Sequence, residues 1–318
     1  FISFTAHTIS TSADGARDVY AIDLDSDGDI DALSASENDD KIAWYENNGS
    51  ESFTDHTITT FSDGTNPQSV YAVDIDSDGD IDVLSGSEGT VAVAWYENNG
   101  SQSFTAHTIA TSSTANNTRS VHAADVDGDG DMDVLSASHG GGVNWYENNG
   151  SESFTARTIT TAGDQTRDVY AIDLDSDGDI DVISASWNDN KVSWSENNGS
   201  ESFTTHTITS SALGVYNIYV ADVDSDGDLD VLSSSGTDGK TVWYENNGSE
   251  SFTGHTIDTN GAWSTYVVDL DSDGDMDVAS VSGGDPIYWY ENNGSQSFTS
   301  NTIISNAGVT RSVHSIDV

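Results

Sequence analysis

Cysteine is absent from the 318-residue chain, and basic side chains are scarce: eight Lys and Arg stand against 55 Asp and Glu. Without thiols there is no disulfide framework, zinc–thiolate centre or cysteine nucleophile, so something else must staple a loop-rich fold. A net charge of −47 repels phosphate backbones and anionic membranes, which argues against nucleic acid as a partner. No apolar run approaches the ~20 residues of a membrane helix, so no direct membrane insertion is expected. Proline occurs twice, and no stretch places apolar residues at helical spacing. The chain opens at Phe1 with neither an initiator Met nor a signal-like segment, which reads as a processed or excised piece whose natural polypeptide continues past Val318.

What the sequence does have is a repeat. A unit beginning at Asp23 returns at Asp74, Asp125, Asp173, Asp222, Asp269 and Asp317, at spacings of 47 to 51 residues. Periods of about 40 to 50 residues with strand-like content point to propeller blades. Within a unit, Val19-Tyr20-Ala21-Ile22 is apolar at consecutive positions, the pattern of a strand covered on both faces. A second segment, Ala32–Ser36, and a third, Ile42–Tyr45, follow, and an Asn-Gly turn leads into Ser-Phe-Thr-x-His-Thr-Ile. Four strands per unit give an all-β propeller forming one domain over residues 1–318. The fourth-strand motif occurs seven times, at Phe4, Phe53, Phe104, Phe154, Phe203, Phe252 and Phe298, whereas the Trp-bearing third strand occurs six times. The expectation is therefore six complete blades plus a partial seventh in a seven-bladed ring. Strands at residues 1–9 and 312–318 would share that last blade.

Each unit carries five Asp at alternate positions around one Gly. The first set is Asp23, Asp25, Asp27, Asp29 and Asp31; the second is Asp74, Asp76, Asp78, Asp80 and Asp82. The third is Asp125, Asp127, Asp129, Asp131 and Asp133; the fourth is Asp173, Asp175, Asp177, Asp179 and Asp181. The fifth is Asp222, Asp224, Asp226, Asp228 and Asp230; the sixth is Asp269, Asp271, Asp273, Asp275 and Asp277. Five carboxylates in nine residues repel one another unless a cation sits among them, and hard oxygen ligands at this spacing suit Ca2+, giving about six sites. Mg2+ keeps its waters and fits less well. Position 12 is Ser (Ser34 in the first unit) where an EF-hand needs Glu, so this loop joins strands rather than helices. Six such ions would leave most of the acidity uncompensated, consistent with a salt-adapted source.

These loops make the sequence resemble the integrin-α-like FG-GAP/VCBS repeat propellers, whose blades carry an Asp-x-Asp-x-Asp-Gly-x-x-Asp calcium loop between the first and second strands. The resemblance implies a calcium-stabilised, extracellular or cell-surface propeller, commonly seven-bladed. Ser34-Ala35-Ser36 and its counterparts replace the Gly-Ala-Pro of the family name, so the ligand preferences of animal integrins do not carry over.

Residues that differ between units are not required by the blade. They fall in the loops from fourth to first strand and from second to third, which emerge on one face, opposite the Asp loops. Six residues before each first Asp stand Arg17, Gln68, Arg119, Arg167, Tyr216, Trp263 and Arg311, expected to ring the central axis. With Trp187, they form a rim suited to a carboxylate- or sulfate-bearing glycan or an acidic loop of a partner. A strand-initiating Arg bonded to neighbouring carbonyls or an Asp is the bland alternative. The repeated Trp44, Trp95, Trp145, Trp194, Trp243 and Trp289 read as core between blades. Asn48, Asn99, Asn116, Asn149, Asn198, Asn247 and Asn293 begin glycosylation sequons, although turn chemistry explains the Asn-Gly pairs equally well.

No unit holds a constellation that stands apart from the repeat, so no enzyme is expected. The leading expectation is a noncatalytic, calcium-stabilised module recognising glycan or extracellular protein through its variable-loop face. The alternative is a structural subunit of a filament, sheath or large adhesin that joins copies of itself by strand addition. An accessory propeller of a polysaccharide-active enzyme ranks third.

Overall fold

Twenty-four strands form six four-stranded antiparallel sheets in a computed structural model that describes residues 3–316 apart from 51, 63, 141 and 285. The first blade comprises β1 (Ala16–Ile22), β2 (Asp31–Ser36), β3 (Lys41–Asn47) and β4 (Phe53–Thr60), paired in sequence order. The other five span Pro67–Thr111, Thr118–Thr160, Thr166–Thr209, Val215–Asp258 and Ser264–Ile304 with the same order. In such a meander the loops alternate between the two faces, so the Asp loop and the Asn-Gly turn share one face. The variable loops share the other, where the amides of Glu37 and Asn38 donate to the carbonyls of Gly15 and Asp14.

Burial follows strand position. β2 is enclosed on both sides because neighbouring blades cover its faces, whereas β4, at the outer edge, buries no side chain fully and leaves half of them exposed. The core lies between blades: Leu33, Ile42 and Trp44 of the first pack with Val70, Ala72, Val83 and Tyr96 of the second. Trp44, Trp95, Trp145, Trp194 and Trp243 are at most 1% exposed, as core residues should be. His56 stacks on Trp44 at 4.5 Å and hydrogen-bonds Glu46 at 2.7 Å, so the repeated outer-strand histidines cover the indoles.

The sector between the sixth and first blades is built differently. Strands were expected at residues 1–9 and 312–318; none forms at 3–9 or 312–316, while Phe1, Ile2, Asp317 and Val318 lie outside the described residues. The two segments nevertheless meet their neighbours as blade elements do. Phe4 meets Trp289 edge-on at 6.0 Å, as Phe154 meets Trp95 at 6.4 Å. The Ala21 amide donates to His314 Nδ1 at 3.2 Å. With no second and third strands in that sector, both segments lack the ladder partners that would make them strands. Val19 is consequently 36% exposed, whereas Val70, Val121, Val169, Ile218 and Thr265 at equivalent positions are 2–4% exposed.

Candidate functional site

The six Asp loops share one conformation. In the first, Asp23 accepts the amides of Asp27 and Gly28, Asp25 also accepts that of Asp27, and Asp27 accepts that of Asp29. Gly28 sits at φ 96° with nothing within 4 Å of the place a Cβ would take, so backbone conformation rather than space demands glycine there. Ser26 also lies in the left-handed region, at φ 61°; the third blade places Gly128 there, a second turn position that the motif alone does not announce.

Carboxylate oxygens of Asp23, Asp25 and Asp27 lie within 4.8 Å of one another, as do those of Asp125, Asp127 and Asp133 and of Asp173, Asp175 and Asp181. Asp125 Oδ1 and Asp224 Oδ1 are buried without a hydrogen-bond partner. Burial, together with neighbouring carboxylates, holds Asp25, Asp76, Asp127, Asp175, Asp224 and Asp271 above the ordinary carboxylate range. Clustered, partly desolvated hard oxygens of this kind fit a hard divalent cation.

Positions seven and nine have additional partners. Asp29 abuts the turn glycine Gly49, where a Cβ would lie 2.5 Å from Asp29 Oδ2, and the same approach recurs at Asp80, Asp131, Asp179, Asp228 and Asp275. Asp31 is 1% exposed; its Oδ1 accepts the Asn47 amide at 2.7 Å and its Oδ2 the Leu24 amide at 3.0 Å. Asp82, Asp133, Asp181, Asp230 and Asp277 repeat this clamp. Desolvation pushes Asp133 to about 7 and Asp82 to about 6. The Trp95 indole N–H favours the charged form of Asp82 without closing a full hydrogen bond.

On the opposite face, the expected rim forms. Arg17, Gln68, Arg119, Arg167, Tyr216, Trp263 and Arg311 all line one axial cavity of about 120 Å³. A smaller space of about 40 Å³ is enclosed by the same residues except Trp263. Sequence reasoning missed how they are aimed: in the first five blades the rim residue sits in a β-bulge, skipped in register between Ala16 and Asp18 or their counterparts. A bulge turns a side chain out of the ladder. In the structure it shows as a seven-residue first strand facing a six-residue second one, and neither strand announces it alone.

The four rim arginines are held in two ways. Arg17 pairs with Glu37, and Arg119 with Glu88 and, at 2.9 Å, with Gln68 Oε1. Arg167 instead lies 5.2 Å from the ring centres of both Trp187 and Tyr216, and Arg311 lies 3.9 Å over Trp263, which itself stacks on Tyr216. Burial lowers both Arg167 and Arg311 from the usual arginine value, with Arg119 adding to the effect on the first and Arg17 on the second. Trp187 rests on Gly236 and Trp263 on Gly283.

Below the rim runs a polar collar: Asp18, Ser69, Ser120, Asp168, Asn217, Ser264 and Ser312. Each reaches the next sector, as when Asp18 accepts the Val70 amide, Asn217 the Thr265 amide and Ser264 the Val313 amide. Ser312 closes the circle by donating to Asp18 at 2.7 Å. Beneath lies a ring of seven aromatic side chains, Tyr20, Tyr71, His122, Tyr170, Tyr219, Tyr266 and His314, with neighbouring centroids 4.6–5.7 Å apart. Burial lowers His122 and His314 to about 4, keeping both neutral. The turn asparagines Asn48, Asn99, Asn149, Asn198, Asn247 and Asn293 are exposed, and each accepts the amide of its following Ser in an Asx turn. Asn116 is exposed in a variable loop.

Fold and loops together define a six-bladed β-propeller with an acidic loop in each blade. The chain belongs to the FG-GAP-like repeat family, whose repeat matches residues 23–85, 74–136, 125–184, 173–233, 226–280 and 269–318. No curated protein matches it. Among solved structures it is similar to an Agrocybe aegerita lectin described as recognising non-reducing terminal N-acetylglucosamine, with TM-score 0.66 and 20% identity over 91% of this chain and 81% of that one. It is also similar to BBS1N, solved in complex with ARL6DN and soaked with lead, with TM-score 0.66 and 9% identity over 98% of this chain and 88% of the other. At these identities the likeness is one of fold.

Proposed function

We propose that this chain is a noncatalytic extracellular recognition module that takes a glycan or protein on its variable-loop face and is stabilised by Ca2+ in its Asp loops. The observation that carries the reading is the convergence of all seven rim positions on one axial opening, on the face away from the repeated loops. The backbone there is constant while the side chains are not. The amides of Glu37, Glu88, His139, Trp187 and Gly236 all donate to the carbonyl at the equivalent position of the preceding loop, yet five equivalent positions carry four chemically different residue types. The lectin of similar fold is described as recognising a sugar, which makes glycans the first ligands to try. A glycan array probed with the wild type and with Trp263→Ala tests it: loss of a bound glycan at unchanged melting temperature is expected, and undiminished binding refutes the assignment.

The calcium part rests on the clustered carboxylates and the unpartnered Asp125 and Asp224 oxygens. In the finer reading of the fold, the segments at residues 1–9 and 312–318 are the outer and inner elements of a partial seventh blade. A second reading, assembly with copies of itself, is favoured by the exposed Val19 at that sector. Light-scattering mass in millimolar Ca2+ and after chelation separates the two: a monomer supports the module, whereas calcium-dependent oligomers support assembly.

A further inference from the structure

Half of the chain's eight basic residues meet in one small space, although 55 carboxylate side chains are available to disperse them. Glu37 and Glu88 neutralise Arg17 and Arg119. Among the described residues, no carboxylate pairs with Arg167 or Arg311, whose planes are fixed by indole and phenol faces instead. The Nε atoms of Arg119 and Arg167 are buried without an acceptor, a costly state unless something accepts from them. The collar carboxylates beneath do not fill that role. Asp18 is engaged by Ser312 and the Val19 and Val70 amides, and Asp168 by Asn217 and the Val169 and Ile218 amides.

We propose that this axial cluster binds a single carboxylate carried on an otherwise uncharged sugar, a uronic or similar acidic residue of a glycan. The proposal rests on the loop face being the recognition surface and names the group it recognises. Space sets the size: at roughly 10–15 Å³ per water, the 40 Å³ between the arginines holds about three heavy atoms, the size of a carboxylate. Guanidinium forks match carboxylate oxygens in pairs, and forks already held against aromatic rings lose little freedom on binding. The net charge of −47 decides what carries the group. A polyanion would be repelled over its whole length, whereas one isolated carboxylate meets only the local field of the arginines. Trp187, Tyr216 and Trp263 are partly exposed around the opening and offer apolar contact to a sugar ring where the arginines leave them uncovered.

The experiment is calorimetric titration of the calcium-loaded protein with methyl glucuronide, methyl glucoside and an acetylated aspartate amide. The glucuronide is expected to bind at least tenfold more tightly than the glucoside, and to weaken as salt rises. Arg167→Gln and Arg311→Gln, made separately, should each lower its affinity about tenfold at unchanged melting temperature. Arg157→Gln should leave it unaltered, because Arg157 stands on the outer strand of the third blade, tied to Glu147 and Glu201. If either rim variant unfolds, the other carries the test. Equal affinity for glucuronide and glucoside, with array glycans still bound at Trp263, overturns the carboxylate assignment and leaves the loop-face reading standing. Tighter binding of the aspartate amide overturns the sugar. Silence in both titration and array sinks the two readings together.

Discussion

Asp168 offers a sharp test of the collar, because the neighbouring blade already contains the control. Asn217 occupies the same position one blade on and makes the same kind of bond, accepting the Thr265 amide at 2.9 Å as Asp168 accepts the Ile218 amide. Asp168→Asn therefore keeps shape and one acceptor while removing the charge. Burial raises the Asp168 carboxyl from 3.8 to about 6, against the opposing pull of its hydrogen bonds. The folded state thus binds this proton more tightly than the unfolded chain does. Stability is greatest below pH 4 and falls as pH rises through 6. At 1.36 kcal/mol per pKa unit the loss is about 3 kcal/mol. The carboxyl is enclosed by protein, but the residue keeps some surface toward the channel, and water there screens the charge. Taking about half, ~1.5 kcal/mol, allows for that screening.

The amide variant carries no such dependence but loses the Val169 N–H acceptor, worth about 1 kcal/mol at every pH. It should be about 1 kcal/mol less stable than wild type at pH 4 and level with it or slightly more stable at pH 8. Urea unfolding at the two pH values measures both, and the constant hydrogen-bond loss cancels in the difference. A stability difference that does not change between pH 4 and pH 8 refutes a buried, charge-averse carboxyl at the collar.

The loop aspartates should divide by role. Asp82→Ala leaves the buried amides of Asn98 and Ile75 without acceptors and should cost about 2–5 kcal/mol by denaturant titration even in chelator. Asp76→Ala should matter only in Ca2+, where each lost site removes about 2.7 kcal/mol at free ion one hundred times Kd; equal effects with and without chelator would refute the calcium assignment. Gly79→Ala, at φ 98°, should cost about 1–3 kcal/mol in thermal unfolding from backbone strain alone. Trp95→Ala, at 0% exposure between two blades, should cost about 3–5 kcal/mol and lower the unfolding midpoint accordingly.

Whatever the chain states six times was legible in it: the blade period, the Trp core and the Asp loops each gain weight with every copy. The rim ring was legible for the opposite reason, since one register position carried Arg, Gln, Tyr and Trp in turn. The bulges that aim those side chains were not, because a bulge is a mismatch between two strands, and either strand read alone looks regular. Nor was the clamp made by Asp31, whose partner Asn47 lies 16 residues downstream; the spacing of the acidic motif shows the cation reading and hides the amides. The strands expected at the two chain ends departed from the sequence reading at a different link. Phe4 and His314 take the places their motifs predict, yet a strand exists only where a neighbouring strand supplies its ladder, and that requirement is not written in the segment itself.

That distinction bears on where function can reside. In five blades the amide after the second strand makes the same backbone bond, to Gly15, Asn66, Asn117, Gln165 or Gly214, and each acceptor residue sits at a positive φ of 50–70°. The scaffold is thus indifferent to the side chain it presents there. Glu37 and Glu88 use that freedom to neutralise two arginines, and Trp187 to hold a third by its ring face. Substituting Trp187 by Glu would place a third counter-charge beside Arg167 with the backbone bond intact. The fold should tolerate this, while carboxylate affinity at the axis should fall, because the rim would then hold its own anion. Retained affinity in a folded Trp187→Glu protein would show that Arg167 does not face the ligand.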